Sequence, residues 1–402
     1  MKHSRREFIK ISSLASASLM VPQFLKSASG RMGIRKSNGK ILVVIQLAGG
    51  NDGLNCVVPF RNDLYYKNRA AIHIPDNELI QISDDAALNH NLSGIAELFD
   101  AGNLCIINSV GYPNPNRSHF RSMDIWQSAS DENQYVQTGW IGRMLDANCH
   151  SHQCHPHQAV EIDDTLSLAL KGEQLKGMAF RNPQMLKKTA STPLINSTGK
   201  NYEADAADKS YLEFLYKTLA ETTQSADYIY AKSKIYHSKI QYPQNDFGKK
   251  IKLIAELIIS GAETSVYYVS LPGFDTHVFQ KGTHARLLKS YSDSLKAMCD
   301  DLKSNNRFHD VMILTFSEFG RRVKENSGKG TDHGTANNVF IAGGALKKAG
   351  LYNPLPDLTN LEEGDLKFRI DFRSVYSAVL SGWMNEDSEK ILLSNFDSLD
   401  FV

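Results

Sequence analysis

The chain has 402 residues, 42% of them hydrophobic, and a mean hydropathy of -0.34, which suits one large or two smaller globular domains and excludes a fibrous or largely disordered protein. The formal net charge of +1 hides an asymmetry, since residues 1–40 carry nine of the 45 Lys and Arg residues but only one of the 44 acids, Glu7. The remaining chain is mildly acidic, which argues against nucleic acid as its main partner.

The amino terminus, residues 1–30, is typical of a twin-arginine export signal. Arg5 and Arg6 precede Lys10 and a short, weakly apolar stretch that ends near Leu25. This stretch is shorter and richer in Ser than the roughly 20 apolar residues that cross a bilayer, so no stable membrane span is expected. The signal predicts that the twin-arginine translocase exports the folded protein, which would then be periplasmic or secreted.

The rest of the chain, residues 31–402, alternates apolar runs with helical patterns joined by short polar loops. The pattern predicts strands over 40–47, 104–110, 265–271, 311–316 and 339–342, and helices over 92–101, 118–129, 249–260, 284–304 and 371–384. Such alternation favours an α/β domain with a doubly wound, mostly parallel sheet flanked by helices. Residues 147–244 interrupt the alternation, and we interpret them as an inserted cap.

A cluster of Cys and His residues lies at 149–157, at the start of this region. Its density suggests zinc binding, but its spacing matches no standard zinc finger and an exported protein meets an oxidising compartment. The two alternatives taken together, a disulfide between Cys149 and Cys154 or a His-rich surface loop, are therefore favoured over a metal site. The cysteines are too few overall for a disulfide scaffold.

Side chains that can bind metals follow the predicted strands. They are Asp52, Ser118, Asp275, His277, Glu318, Asp332 and His333. Ligands bind at the carboxyl ends of strands in open α/β sheets, so we expect these side chains to meet at one edge. Carboxylate, imidazole and hydroxyl groups suit a divalent ion such as Zn, Mn, Mg or Ca. The chemistry implied is metal-assisted displacement at phosphorus or sulfur.

Each candidate also fits an ordinary structural role. The alternatives are an Asx turn for Asp52, a helix N-cap for Ser118, a solvated turn for Asp275 and His277, a surface ion pair of Glu318 with Arg321 or Arg322, and a hydrogen-bonded loop position for His333. Their joint occurrence after strands is what favours a shared site over these separate roles.

The motifs that carry this chemistry resemble those of the family named domain of unknown function 1501 over nearly the whole chain. The matching motifs are Gly49-Gly50-Asn51-Asp52-Gly53, Asn116-Arg117-Ser118-His119-Phe120, Gly273-Phe274-Asp275-Thr276-His277, Ser317-Glu318-Phe319-Gly320-Arg321 and Thr331-Asp332-His333-Gly334. That family is similar to the alkaline phosphatase and sulfatase superfamily. The resemblance implies an alkaline-phosphatase-like fold and a metal-dependent hydrolase that acts on phosphate or sulfate esters of small molecules or glycans.

The resemblance also assigns roles to single residues. Ser118 falls at the position of the nucleophile, and the metal ligands are expected to be Asp52, Asp275, His277, Glu318 and His333. We expect Arg117, Arg321 and Arg322 to hold substrate oxygens. His119 is expected to serve as a substitute ligand or as a general acid.

One departure from the superfamily pattern concerns the second metal. Phe319 follows Glu318 where the superfamily has an Asp-His pair, so a nitrogen ligand is missing, and the spacing from Asp275 to His277 is tight. The departure predicts one metal instead of two, a different metal, or a site that binds without turnover. The competing interpretation is therefore a non-catalytic binding or assembly protein that keeps the fold with a degenerate site.

Overall fold

The computed structural model of the protein describes residues 39–149, 154–191 and 206–402. The export signal predicted at 1–30 and the residues 150–153 of the Cys/His cluster lie outside this description. The two cysteines that flank residues 150–153, Cys149 and Cys154, form a disulfide, so their sulfur atoms are not free thiolates that could bind zinc.

The strands of the described chain follow in order. They are β1 (Ile41–Ala48), β2 (Val57–Val58), β3 (Leu79–Gln81), β4 (Ala87–Asn89), β5 (Leu104–Gly111), β6 (Ala159–Glu161), β7 (Met178–Ala179), β8 (Val266–Pro272), β9 (Val311–Phe316), β10 (Asn337–Gly343), β11 (Gly350–Leu351), β12 (Leu361–Glu362), β13 (Asp365–Leu366) and β14 (Ile370–Asp371).

The α-helices are α1 (Asp63–Asn68), α2 (Ser93–Asp100), α3 (His119–Ser128), α4 (Trp140–Asn148), α5 (Pro183–Ala190), α6 (Ala206–Lys232), α7 (Asp246–Ile259), α8 (Gln280–Ser304), α9 (Phe372–Ala378) and α10 (Ser388–Leu392). A π-helical segment, Val379–Met384, continues α9. None of the described helices combines the length and apolar character that crossing a bilayer requires.

A central sheet of nine strands organises the described chain, in the order β11-β5-β10-β9-β1-β8-β6-β7 with β14 paired to β5. Strand β1 is parallel to β8 and to β9, and β6 continues the parallel arrangement beside β8. Strand β10 is antiparallel to both β9 and β5. The predicted α/β class with a mostly parallel sheet flanked by helices is therefore confirmed.

Burial on both faces explains why β1 reads as an unbroken apolar run. Val43 and Ile45 pack into one hydrophobic cluster with residues of α2, α7 and α8, whereas Leu42 and Val44 pack into a second cluster with residues of α3, α4 and α9. Alternate side chains of a strand point to opposite faces, so a strand covered on both sides needs apolar residues at every position.

The region 147–244, interpreted above as a cap, contributes two strands to the central sheet. Strands β6 and β7 pair in parallel with each other, and β6 pairs with β8. This part of the region therefore extends the sheet, and the division of the chain into core and cap stays a prediction.

Strand β6 ends in a buried carboxyl group that makes no ion pair with the described part of the chain. The pKa of Glu161 is raised from 4.5 to about 7, and burial of the carboxyl group is the main cause. The folded protein then holds a proton that the unfolded chain releases between about pH 4.5 and 7, so this group lowers stability as the pH rises through that window. We predict that Glu161→Gln raises the free energy of unfolding by about 1–3 kcal/mol at pH 8 and changes it little at pH 4.5.

Urea unfolding at the two pH values measures this difference. Glu173→Gln is the matched control, because Glu173 is exposed. Equal effects of Glu161→Gln at both pH values would show that Glu161 does not titrate in this window.

Candidate metal centre

Four loops meet at one edge of the central sheet. The carboxyl ends of β1, β8 and β9 lie together because these strands are parallel, and β5 ends at the same edge because β10 is antiparallel to both β9 and β5. Residues after β1, β5, β8 and β9 carry the side chains predicted for the site. This is the edge at which open α/β sheets bind ligands.

Two histidines and one aspartate from three of these loops come together. Possible ligand atoms of His119, Asp275 and His333 all lie within 4.8 Å of one another. The Nε2 atom of His333 is 3.1 Å from Asp275 Oδ1, and the Nε2 atom of His119 is 3.5 Å from Asp275 Oδ2. His277 adjoins the group, with its Nε2 atom 2.9 Å from Asp275 Oδ1 and 3.0 Å from His333 Nε2. Three imidazoles therefore direct Nε2 toward one carboxylate.

The other ring nitrogen of each imidazole faces a separate acceptor. His119 Nδ1 lies 3.0 Å from Glu318 Oε1, and His333 Nδ1 lies 2.8 Å from the backbone carbonyl of Arg117. A carboxylate or carbonyl on Nδ1 favours the tautomer that carries its proton there, which leaves the Nε2 lone pair free. This is the arrangement usual for histidines that bind metals.

His277 follows the same pattern more loosely. Its Nδ1 atom is 3.4 Å from Asp332 Oδ1. Asp332 in turn accepts a hydrogen bond from Asn326 at 3.0 Å, which is the main cause that lowers the pKa of the Asp332 carboxyl. Asp332 therefore contacts the ring nitrogen of His277 that does not face Asp275.

Glu318 is buried and reaches the group through His119. Its Oε1 atom also accepts a hydrogen bond from the Gly49 backbone at 2.8 Å, which fixes the carboxylate at the end of β1. The hydrogen bond that His119 donates to Glu318 is the main cause that raises the pKa of His119 above its usual value. Among the described residues, the group of possible metal ligands does not include Glu318, and we infer that it orients His119.

A close backbone approach positions Asp275. A Cβ atom on Gly49 would lie 2.5 Å from the Asp275 backbone nitrogen, and Gly49 has φ +119, so only glycine fits there. Burial acts to raise the pKa of Asp275, but Arg321, with a smaller contribution from His333, outweighs it and lowers the pKa to about 2. Asp275 is consequently an anion at neutral pH.

Arg321 is buried and braces the loops of the site. Its guanidinium donates to the Asp275 carboxylate at 2.7 Å and to the backbone carbonyls of Gly49, Gly50, Phe274 and Thr331. These acceptors occupy the guanidinium, so the structure gives Arg321 a positioning role and not the substrate contact expected from sequence. Arg322 pairs with Asp365 at 3.1 Å.

Asp52 occupies a buried ion pair beside the site. Its Oδ2 atom lies 2.6 Å from Arg69 Nη1 and also accepts a hydrogen bond from Gln280. Burial acts to raise the pKa of Asp52, but Arg69 outweighs it and the pKa is lowered. Arg69 also donates to the backbone carbonyls of Arg322 and Val323, so the pair ties the loop after β1 to the loop after β9.

We predict that Asp52→Asn lowers the free energy of unfolding by about 3–5 kcal/mol, because it leaves the buried charge of Arg69 without its counterion. Urea unfolding of the metal-free protein measures the change, and the exposed residue Asp84 supplies the control, Asp84→Asn. Loss of bound metal without loss of stability in Asp52→Asn would instead identify Asp52 as a ligand.

Ser118 and Arg117 lie next to the group, at the start of α3. Ser118 occupies the N-cap position, but its side chain makes no capping hydrogen bond, and the residue is exposed. The backbone nitrogen of Ser118 is held by Asn116 Oδ1 at 2.8 Å. The guanidinium of Arg117 pairs with Asp365, while its carbonyl holds His333. Ser118 therefore lies between His119, a member of this group, and Arg117, whose carbonyl contacts His333.

Phe319 packs against the imidazoles of His119 and His333. Its ring centroid lies 4.9 Å from that of His119 and 4.7 Å from that of His333. Phe319 therefore supports both rings from one side. Local motifs do not predict this packing or the contacts of Arg69 and Arg321, because the partners of both arginines are backbone carbonyls and acids on distant segments of the chain.

Solved structures that resemble the chain share little sequence with it. The C-terminal periplasmic domain of EcEptC from Escherichia coli, in complex with Zn, is 11% identical at a TM-score of 0.39, with 77% of this chain and 75% of that chain covered. The PsFucS1 sulfatase from Pseudoalteromonas sp. is 13% identical at a TM-score of 0.38, with 100% and 75% covered. A protein in the alkaline phosphatase superfamily from Vibrio parahaemolyticus is 11% identical at a TM-score of 0.33, with 77% and 61% covered. At these TM-scores we take no residue role from them.

Sequence comparison gives the clearer result. No curated protein matches the chain significantly. The family described as Protein of unknown function (DUF1501) matches residues 104–361, which is well over half of the chain and includes every loop of the site except the one after β1. The chain therefore belongs to the DUF1501 family.

Proposed function

We propose that the protein is a metal-dependent hydrolase of phosphate or sulfate esters, with His119, Asp275 and His333 as metal ligands and His277 as a further nitrogen donor. One observation carries the proposal: three imidazoles direct Nε2 toward Asp275 while an acceptor lies beside each Nδ1. Asp52 and Glu318, expected as ligands from sequence, are assigned positioning roles in this proposal.

The spacing and chemistry of the donors fit a divalent ion. Ligands about 2.0–2.1 Å from Zn in a tetrahedron lie roughly 3.3–3.4 Å apart, close to the separations of 2.9–3.5 Å between these nitrogen and carboxylate atoms. The Nε2 atom of His119 is buried and lacks a hydrogen-bond partner within the described chain. Mixed nitrogen and oxygen donors suit Zn or Mn better than Ca, which prefers oxygen ligands alone.

The site is open enough to admit a substrate. The side chain of Asp275 is 47% exposed and that of His277 is 40% exposed, whereas Glu318 behind them is fully buried. The exposed side chains of Asp275 and His277 therefore face solvent, while the buried Glu318 helps to fix the site in place. When bound, a divalent ion would neutralise and polarise the oxygens of an ester.

Ser118 is the proposed nucleophile. The uncapped hydroxyl at the amino terminus of α3 lies where the helix dipole favours an anionic phosphate or sulfate group. Its Oγ would lose its proton and bond to phosphorus or sulfur as the bond to the alcohol oxygen breaks, and the alcohol oxygen would take up that proton as it leaves. Water oxygen would then bond to phosphorus or sulfur as the bond to Oγ breaks, which releases phosphate or sulfate and returns a proton from water to Ser118.

Metal analysis and turnover measured on the same preparation test the proposal. We expect the folded protein to hold Zn or Mn, to hydrolyse an aryl phosphate or an aryl sulfate, and to lose activity on chelation and regain it on adding the metal. A preparation that retains stoichiometric metal yet hydrolyses neither ester would instead support the binding or assembly protein.

We also propose export through the twin-arginine translocase, on the basis of Arg5, Arg6 and Lys10. Replacing both arginines with lysine is expected to keep the protein in the cytoplasm. Cell fractionation of the native chain and the R5K/R6K variant measures this, and equal periplasmic amounts of the two would contradict it.

A further inference from the structure

A pocket of about 350 Å³ adjoins the metal centre on the side of β12 and β13. This volume is at the lower end for ligand sites, which typically measure about 300–1,000 Å³. The pocket therefore suits a group of monosaccharide size better than an extended polymer.

Two residues of the metal centre also line this pocket. Glu318 contacts His119, and Phe319 packs on His119 and His333. One wall of the pocket is therefore formed by residues that contact the proposed ligands. Arg117 also lines the pocket, and its carbonyl holds His333. An ester whose anionic end lies at the metal centre can place its alcohol portion here.

The charged residues of the lining are mostly acidic. Glu132 and Glu362 line the pocket and form no ion pair or side-chain hydrogen bond with the described part of the chain. The lining has four acids and two cations; of the cations, Arg117 pairs with Asp365 and Lys367 donates to Asn360 at 2.7 Å. An anionic alcohol portion would meet repulsion, whereas hydroxyl groups could donate to the free carboxylates.

An indole donor in the lining also lacks a partner. Trp126 is 2% exposed and lines the pocket, and its Nε1 has no hydrogen-bond acceptor within the described chain. Trp126 stacks on Phe316 and Phe372, so its position is fixed. A buried indole N–H normally finds an acceptor. A hydroxyl group that reached this indole nitrogen could accept its hydrogen bond.

We propose that this pocket binds the alcohol portion of the substrate ester, and that this portion is a hydroxyl-rich group of monosaccharide size without negative charge. The proposal rests on the proposed function for the position of the ester group. The expected preference for an uncharged, hydroxyl-rich ligand follows from the acidic lining of the pocket and the indole of Trp126.

Three phosphate esters of similar size test the preference: glucose 6-phosphate, glucosamine 6-phosphate and 6-phosphogluconate. Calorimetric titration of each into the metal-loaded protein is expected to show the two sugar esters binding about tenfold more tightly than 6-phosphogluconate. Inorganic phosphate is expected to bind more weakly than glucose 6-phosphate. Equal or tighter binding of 6-phosphogluconate, equal binding of inorganic phosphate, or binding of none of them would overturn the proposal.

The double variant Glu132→Gln/Glu362→Gln isolates the contribution of the lining. Its ratio of affinities for glucose 6-phosphate and 6-phosphogluconate is expected to fall from about tenfold to about threefold or less. Glu389→Gln, at an exposed position outside the pocket, should keep the native ratio. An unchanged ratio in the double variant would count against the pocket.

Turnover, measured separately, keeps the two proposals apart. Hydrolysis of aryl esters without any preference among the three sugar-derived esters would uphold the proposed function and reject the role of the pocket. Preferential binding without hydrolysis of any ester would uphold the pocket and reject the proposed function.

Discussion

Asp275→Asn is expected to weaken metal binding by more than about 100-fold and to reduce kcat/KM for an aryl ester by at least about a thousandfold. The reason is that Asp275 is the centre of the group: His277 and His333 both lie near its Oδ1 atom, and Arg321 holds it in place. Asparagine keeps the shape of the side chain but removes the charge that a divalent ion requires.

Competition with a metal-binding dye, together with elemental analysis of dialysed protein, measures the change. Asp397→Asn removes a charge from an exposed position elsewhere and should bind metal as the native protein does. Thermal unfolding of the metal-free variant shows whether the fold persists, which we expect because Asp275 is about half exposed and Arg321 keeps its backbone carbonyl acceptors when it loses this counterion. Native metal affinity in a folded Asp275→Asn protein would remove Asp275 from the ligand set.

Ser118→Ala is expected to lower kcat by at least about a thousandfold while metal content stays native. Ser118 is exposed and its side chain does not cap α3, so its loss should not affect the helix, and the proposed ligands His119, Asp275 and His333 stay in place. This combination separates a nucleophile from an N-cap, whose removal would cost about 1 kcal/mol of stability and leave kcat unchanged.

Steady-state kinetics and metal analysis of Ser118→Ala and of the exposed control Ser394→Ala test this. An acid-stable adduct of the ester's phosphate or sulfate on Ser118, trapped and located by mass spectrometry, would identify the attacking atom directly. Full activity of Ser118→Ala would exclude a serine nucleophile.

Much of the fold could be predicted because the central strands are buried on both faces and read as unbroken apolar runs. Strand β9 begins and ends where the pattern predicts, at Val311 and Phe316. Strands β6 and β7 were missed because three and two residues carry too little periodicity. The sequence pattern predicts one continuous helix over 371–384. It does not distinguish the π-helical segment from α9, because the two segments share the same apolar pattern.

Most of the predicted site residues lie close together in the structure, but Asp52 forms an ion pair outside this cluster. Asp275, His277 and His333 lie together, as strand-end positions suggested, and His119 joins them from the first turn of α3. Asp52 also follows a strand, but it faces Arg69, and nothing in the local sequence distinguishes an acid that meets a metal from one that meets a buried arginine. Only the packing of distant segments decides between these two outcomes.

A crystal structure of zinc-loaded protein, with anomalous diffraction collected at the zinc edge, tests the central claim most directly. We predict one strong anomalous peak within coordination distance of His119 Nε2, His333 Nε2 and a carboxylate oxygen of Asp275. A peak bound elsewhere, or no peak from crystals grown with excess zinc, would contradict the metal centre.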